Sequence, residues 1–312
     1  MNNTPVKIDT LFQAVGIHAA GFVLLNDNTY DFDPNNPENN WLYGAFLGFK
    51  KLMKEGLNPK TFCTIGTSSG VDSIGADKVF QLAEIFQTDI HPNVIDVAHK
   101  NTSGFVGKST KVKTLLGNLC EPLIERGISV DLLYANIPNI PSEKPVLNKK
   151  TSSSRFQVQA SPESIKIFDK WFLSLQHQFL KQAKSVLNMN GVVLVAIGDR
   201  VPCFVMQELF EKNGYKSSEL VNIYKVQTEP EEVITGYAEQ EILENIEFDF
   251  YDHEKASMVW QKECMGKNLS VEEIKKILQP FHLSAFEALR QFRERGRSVG
   301  HIYSIFKLVI SQ

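Results

Sequence analysis

Short apolar runs alternate with stretches of helical periodicity through the middle of the chain, from residue 60 to about residue 227. Runs crowded with apolar residues predict strands at 61–66, 84–89, 112–117, 129–135, 192–197 and 221–227. Apolar residues spaced three or four positions apart predict helices at about 70–80, 92–102, 163–187 and 203–213. Strands that alternate with helices pair mainly in parallel, so this pattern predicts an α/β protein with helices on both faces of a mostly parallel sheet.

The flanking segments have other patterns. Residues 1–58 are interpreted as an N-terminal extension that ends in a helix at 41–53, a candidate lid. Beyond residue 227 the pattern predicts a helix at 229–244, a strand at 246–251, short helices within 255–296 and a final strand at 300–310. We expect the final strand to join the main sheet, so that 59–312 form one domain with a helical insertion at about 255–296. The polar segment 148–160 is predicted to be a flexible surface loop.

Small or polar residues follow four of the predicted strands. The first strand leads into a Gly-Thr-Ser-Ser-Gly turn at 66–70, and Asp89, Asn118 and Asn136 follow the next three. A turn of small residues lets backbone N–H groups approach a polar ligand, and an acid after the second strand is typical of ribose binding. Because open α/β sheets bind ligands outside the carboxyl ends of their strands, we expect one shared site. Asp72, in the first turn of the next helix, is interpreted as structural because an acid there favours the helix dipole.

The composition is ordinary for a soluble globular protein of 312 residues, with 43% hydrophobic and 22% charged residues. A formal net charge of −3 without a dense Lys/Arg block argues against a nucleic-acid partner. The four cysteines lack metal-ligand spacing, so we expect free thiols in a reducing compartment and no metal site. No apolar stretch approaches the ~20 residues of a membrane span, and the polar N-terminus is unlike a signal peptide. We therefore expect a cytoplasmic protein without a membrane partner.

Several segments in a fixed order carry a family resemblance: TIGTSSG, TDIHPNVIDVAHKN, GNLCEPL, DLLYANIPNIP and LNMNGVVLVAIGDR…FVMQELFEKNGY. Over roughly residues 60–227 the chain resembles class I S-adenosylmethionine-dependent methyltransferases, especially the protein-glutamine N5-methyltransferases of release factors. The resemblance implies a Rossmann-like methyltransferase fold with a mostly parallel seven-stranded sheet, and S-adenosyl-L-methionine as cofactor. It implies cofactor-binding roles for Gly66, Thr67, Ser68, Gly70, Asp89, Ile90, Asn118, Leu119 and Asn136. It places the catalytic positions at Asn136, Ile137 and Pro138.

Three positions depart from that family. Thr64 replaces the acid that receives the ammonium of the cofactor's methionine part, and Asn118 replaces the acid near the adenine amine. The Asn-Pro-Pro-Tyr motif that clamps a planar amide has become Asn-Ile-Pro-Asn at 136–139, without the aromatic ring. The altered motif is similar to the Cys-Ile-Pro-Gln-Ile of plant methionine S-methyltransferases, which also resemble this chain at 43–47 and 296–306. This second resemblance implies acceptor contacts at Tyr43, Asn139, His301 and Tyr303.

The main prediction is therefore a methyltransferase acting on a small molecule, with methionine converted to S-methylmethionine. One alternative is N-methylation of a protein glutamine or a small amine or amide. Another is a cofactor-binding protein without turnover, motivated by the changes at Thr64 and Asn118. An amino-acid acceptor would need a basic partner for its carboxylate, and Arg155, Arg200 and Arg297 are the candidates. The sequence is also compatible with a homo-oligomer.

Overall fold

The computed structural model describes residues 3–142, 155–157 and 165–311. Its central feature is a nine-stranded sheet, with two separate two-stranded sheets beside it. The strands are β1 (Thr4–Lys7), β2 (Phe22–Leu25), β3 (Thr61–Ile65), β4 (Glu84–Asp89), β5 (Lys111–Leu116), β6 (Val130–Ala135), β7 (Ile140–Ser142), β8 (Arg155–Gln157), β9 (Leu187–Gly198), β10 (Tyr215–Val226), β11 (Phe250–Asp252), β12 (His282–Leu283) and β13 (Val299–Ile310).

Helices cover both faces of this sheet. They are α1 (Asp9–Ala14), α2 (Trp41–Lys54), α3 (Val71–Phe80), α4 (Pro92–Phe105), α5 (Glu121–Ile124), α6 (Lys166–Lys170), α7 (Ser174–Ala183), α8 (Cys203–Lys212), α9 (Pro230–Glu244), α10 (His253–Val259), α11 (Val271–Leu278) and α12 (Ala285–Arg295). Shorter turns add 3-10 helices at Pro37–Asn39, Lys184–Val186 and Gln279–Phe281 and a π-helical turn at Trp260–Cys264. Among the described residues, no helix is long and apolar enough to cross a membrane.

Seven long strands form the body of the sheet in the order β5-β4-β3-β6-β9-β13-β10. Strands β5, β4, β3, β6 and β9 are parallel to one another, whereas β13 is antiparallel to both of its neighbours. The short strands β11 and β12 extend the sheet beside the start of β13, which raises the number of strands to nine. The predicted α/β fold class is confirmed, and the final strand joins the main sheet as expected.

The register brings the carboxyl ends of the parallel strands to one edge. Ile65 of β3 pairs with Thr88 of β4 on one side and with Ala135 of β6 on the other. Ala135 also pairs with Val195 of β9. The segments that follow these residues therefore leave the sheet side by side.

Alternating side chains of the central strands enter two hydrophobic cores. On β3, Phe62 joins the core formed with α1, α2 and α3, while Cys63 joins the core formed with α5 to α9 and α12. The helix α2 buries Phe46 and Phe49 in the first of these cores. The N-terminal segment thus shares a core with the central sheet, and its separation from the rest at residue 58 stays a prediction.

Three predicted elements differ from the structure. The helix expected at 163–187 is α6 followed by α7, separated by Phe172, whose backbone is left-handed with a φ of 56°. The strand expected at 246–251 is limited to β11, and the insertion expected at 255–296 contains α11, α12 and the short strand β12 between them. Most of the loop predicted at 148–160 lies outside the described residues.

Candidate active site

A cavity of about 720 Å³ lies at the carboxyl ends of the parallel strands. That volume is within the range of pockets that hold a molecule of drug or cofactor size. Its wall contains the turns after β3, β4, β5 and β6, joined by the start of α2 and the chain that leads into α9. From the predicted site, the described wall includes Gly66, Thr67, Ser68, Asp89, Ile90, Asn118, Leu119, Asn136, Ile137, Pro138, Asn139 and Arg155.

The turn after β3 presents its backbone to the cavity. The N–H groups of Gly66 and Thr67 both donate to the carbonyl of Thr88 at 2.9 Å, which fixes the turn against β4. Gly66 is exposed with a φ of 70°, a left-handed conformation that favours glycine. A Cβ added to Gly66 would meet only Ile137 Cγ2, at 3.6 Å, so the residue borders open space. The buried Thr67 Oγ1 has no hydrogen-bond partner among the described residues.

Gly70 ends this turn and packs against α4. It is buried, lies outside the described wall, and has a φ of 78°. A Cβ there would lie 2.6 Å from Thr102 Oγ1 and 2.9 Å from the carbonyl of Ala98, both on α4. This glycine therefore lets α4 approach the turn, and its predicted contact with a cofactor stays a prediction.

Asp89, at the end of β4, points a partly satisfied carboxylate at the cavity. Its Oδ1 accepts a hydrogen bond from the N–H of His91 at 3.0 Å, and its Oδ2 accepts a longer one from Ser68 at 3.4 Å. Desolvation by burial raises the pKa of this carboxyl. A carboxylate has about four lone-pair sites, so Asp89 retains capacity for two hydroxyl donors of a ligand.

Asp72 is a site residue that the sequence interpretation missed. It lies in the first turn of α3, is buried, and lines the cavity. Its Oδ2 accepts a hydrogen bond from Thr64 Oγ1 at 2.5 Å, and burial raises its pKa to about 6. Thr64 occupies the position where the resembling family has an acid, so an acid from the neighbouring helix reaches the same place. The missing signal was the contact between strand and helix, which spacing along the chain does not reveal.

The next turns form a more open end of the cavity. Ile90 is 52% exposed, and the side-chain amide of Asn118 donates to Glu121 Oε1 at 3.0 Å. Leu119 has a left-handed backbone with a φ of 47°, and its carbonyl accepts a hydrogen bond from Thr88 Oγ1 at 3.2 Å. The apolar side chains of Ile90 and Leu119, together with the side-chain amide of Asn118, suit a flat, partly polar ring of a ligand.

The segment at 136–139 follows β6 directly and borders the turn at 66–70. Asn136 is half-buried, and its side chain makes no hydrogen bond to any described residue, so its amide is free for a ligand. Behind it, the buried Gln176 donates weakly to the carbonyls of Ile137 and Pro138 at 3.5 and 3.4 Å. Asn139 donates to the carbonyl of Phe172 at 3.4 Å.

Three of the predicted acceptor contacts lie away from the described wall. Tyr43 lines a separate groove. His301 is fully buried, and the buried Tyr303 hydroxyl donates to the carbonyl of Asn40 at 3.0 Å and accepts from the N–H of Gly44 at 3.1 Å. None of these three residues is in the described wall, and their contacts with an acceptor stay predictions.

Aromatic and basic side chains complete the wall. Trp41 and Tyr30 reach it from the N-terminal segment, and Tyr237 from α9. The backbone N–H of Tyr30 donates to Ser68 Oγ at 2.7 Å, which ties that segment to the turn. Arg200, which follows β9, is buried and also lines the cavity.

Comparison with known proteins gives matches to a part of the chain. The release factor glutamine methyltransferase of Dictyoglomus turgidum is 35% identical over 100 residues, which is 32% of this chain and 34% of the relative. That of Moorella thermoacetica is 34% identical over 82 residues, 26% of this chain and 28% of the relative. The chain thus spans about a third of the length of these curated relatives. No family model matches it.

Among solved structures, a ribosomal protein L11 methylase from Lactobacillus delbrueckii subsp. bulgaricus is 18% identical with a TM-score of 0.40, over 64% of this chain and 77% of that one. In its matched segment and its ordered motifs, the chain resembles the class I S-adenosylmethionine-dependent methyltransferases, and within them the protein-glutamine branch.

Proposed function

We propose that this protein is an S-adenosylmethionine-dependent methyltransferase that modifies an amide nitrogen, with a glutamine side chain of a protein as the acceptor. The observation that carries the proposal is the free amide of Asn136, which lies in one cavity with the exposed backbone of Gly66 and the carboxylate of Asp89. The names of the partial relatives support the same acceptor class.

The cavity fits the cofactor by the chemistry of its donors and acceptors. Asp89 would accept hydrogen bonds from two ribose hydroxyls, and Asp72 would face the ammonium of the methionine part. The exposed backbone at Gly66 and the Thr67 hydroxyl, which has no hydrogen-bond partner among the described residues, would contact the part of the cofactor that lies between its ribose and its ammonium. When bound, S-adenosylmethionine would supply a methyl group from its positively charged sulfur and leave as S-adenosylhomocysteine, while the acceptor nitrogen would lose one proton to solvent.

The chain's own contribution is to position the acceptor. Asn136 Oδ1 would accept a hydrogen bond from the acceptor N–H, and its amide N–H groups would donate to the acceptor carbonyl. Such a paired contact fixes the plane of an amide and points its nitrogen toward the methyl group. Holding two reactants in line contributes most of the rate in a displacement of this kind.

The methionine S-methylation predicted from the sequence gains no support from the site. That prediction rested on the motif at 136–139 and on the likeness around Tyr43, His301 and Tyr303, and these three residues are not in the described cavity wall. A thioether also has no use for the paired donor and acceptor of Asn136, because its sulfur is only a weak acceptor.

The test is a methyl-transfer assay read by mass spectrometry with two acceptors, a glutamine-containing peptide and free methionine. We expect methylation of the peptide at the glutamine and none of methionine. Asn136→Ala should lower turnover by roughly 10²-fold while cofactor affinity is preserved, because its contact is made with the acceptor. Asn268→Ala, at an exposed position outside the cavity, is the matched control.

Methylated methionine without modified glutamine would contradict the amide assignment. Tight cofactor binding without product from a wide acceptor screen would instead favour a binding protein without turnover.

A further inference from the structure

Arg200 differs from the other two arginines that could bind an acceptor carboxylate. Arg155 already forms an ion pair with Glu232, at 2.5 Å between Nε and Oε1. Arg297 lies outside the described cavity wall, with its Nη1 3.9 Å from Asp252 Oδ2. Arg200 lines the cavity, is 4% exposed, and forms no ion pair with any described residue.

The contacts of Arg200 hold its guanidinium in place without neutralising it. Nη2 donates to Gln227 Oε1 at 2.7 Å, and Nη1 donates to the Tyr237 hydroxyl at 3.4 Å. Its Cζ is 5.1 Å from the centre of the Tyr237 ring. The Nε has no hydrogen-bond partner in the part of the chain that the structure describes. A buried charge without a counter-ion is costly, so packing alone does not explain this position.

Two further basic side chains lie behind the same wall. Lys225 is 2% exposed, and its ammonium is 5.5 Å from the centre of the Trp41 ring. The ring of the fully buried His301 is 6.0 Å from that of Trp41. Within the described ranges, neither Lys225 Nζ nor either ring nitrogen of His301 has a hydrogen-bond partner.

Trp41 and Arg200 are adjacent, which joins these groups into one cluster. A Cβ added to Gly198 would lie 2.3 Å from Arg200 Nη1 and 3.7 Å from Trp41 Cη2. Both residues line the cavity. Burial and the nearby Arg200 lower the pKa of Lys225 to about 7 and the pKa of His301 well below its usual range. Burial is the larger cause for both groups, and the neighbouring positive charge adds to it, whereas Glu229 acts in the opposite direction on Lys225.

We propose that Arg200, with Lys225 behind it, binds a carboxylate of the methyl acceptor. The inference rests on the proposed function and narrows its acceptor to a protein glutamine whose own α-carboxylate enters the same cavity, that is, a glutamine at the C-terminal end of a chain. A carboxylate fits better than a phosphate, because Glu229 lines the same wall and Asp199 precedes Arg200 in sequence. A single negative charge matches the guanidinium, whereas a dianion would be repelled by these acids.

The test compares two probes that differ only in the carboxylate, N-acetyl-L-glutamine and N-acetyl-L-glutaminamide. Calorimetric titrations are run with the full chain, with and without S-adenosylhomocysteine. We expect the wild type to bind the acid at least about tenfold more tightly than the amide. Arg200→Gln should abolish this preference and Lys225→Met should reduce it several-fold. Arg297→Gln, which removes an arginine outside the wall, should keep it.

Equal affinity for the two probes, or no binding of either, would overturn the carboxylate site. The S-adenosylhomocysteine titration separates that result from failure of the proposed function, because the cofactor would still bind. If Arg200→Gln does not fold, the preference in the wild type and its reduction in Lys225→Met remain as the test.

Discussion

Among the described residues, the carboxylate of Asp72 is held at the cavity by hydroxyl and backbone donors, without a basic partner. Thr64 Oγ1 donates to one oxygen at 2.5 Å, and the N–H of Ser73 donates to the other at 2.7 Å. With no cation to offset desolvation, its pKa rises to about 6. A bound ammonium would supply the missing positive charge, so this carboxylate is prepared for a cationic group.

Replacing Asp72 should expose that role. We expect Asp72→Asn to weaken S-adenosylmethionine binding by roughly 10- to 100-fold, the range for a hydrogen bond between charged groups. Adding Thr64→Asp should restore much of the affinity, because it returns the acid to the position used by the resembling family. Calorimetry on the three proteins gives the comparison, and unchanged affinity in folded Asp72→Asn would exclude the ammonium role.

The pKa of about 6 also predicts a pH dependence. Binding the ammonium requires the ionised carboxyl, and an α-amino group with a pKa near 8 stays charged below that pH. Affinity should therefore be level between about pH 7 and pH 8 and fall by up to tenfold per pH unit below about pH 6. Titrations from pH 5 to 7.5 should show this limb in the wild type, and Asp72→Asn should have a flatter profile. An equally steep profile in the variant would assign the limb to another group.

Among the elements, α2 and α3 meet at a contact that only glycine allows. A Cβ added to Gly75 of α3 would lie 2.1 Å from Cε1 of Phe46 on α2. Through this contact the N-terminal segment packs closely enough for Trp41, at the start of α2, to reach the cavity.

Two helix glycines give a matched pair for testing that contact. Gly75→Ala should lower the free energy of unfolding by roughly 1–3 kcal/mol through overpacking. Gly104→Ala, in α4 with no atom within 4 Å of the added Cβ, should raise it by up to about 1 kcal/mol. Urea unfolding of both variants gives the two values. The two changes in the free energy of unfolding need not be equal in size. A higher free energy of unfolding in Gly75→Ala would contradict the close contact between Gly75 and Phe46.

Strands β3, β4, β5 and β6 begin and end within one or two residues of their predicted limits. For β3, β4 and β6 the reason is burial on both faces of the sheet, which favours runs rich in apolar residues. The edge strand β5 has no buried residue, and its signal is the apolar and β-branched content of the run alone. The break at Phe172 had no such signal, since a left-handed backbone is usually marked by glycine or asparagine. Asp72 and Arg200 were undervalued for a related reason: their importance depends on which side chains fold beside them.

At the scale of the whole molecule, the cavity joins parts distant in sequence. Trp41, the turn residues 66–69, Asn136, Arg200 and Tyr237 all line it. Ligand binding should therefore stabilise the entire fold rather than one segment.

We expect S-adenosylhomocysteine at 100 times its dissociation constant to add about 2.7 kcal/mol of stability, which for a chain of this length raises Tm by about 4 °C. At the same ligand concentration Asp89→Ala should lose most of this shift. Asp96→Ala, an exposed acid on α4, should keep it. Differential scanning fluorimetry measures all three, and a full shift in Asp89→Ala would remove the ribose assignment.

The position of β13 has a consequence for synthesis on the ribosome. Of the strands that the structure describes, β10 pairs with β13 alone, and β13 lies between it and β9 although it comes last among them. Roughly 80 residues separate the end of β10 from the end of β13, which takes about 4–16 s at 5–20 residues per second. During that interval β9 has an unpaired edge, and Lys225 on β10 cannot reach its place behind the cavity. The acceptor end of the site is thus completed last, after the part that would hold the cofactor.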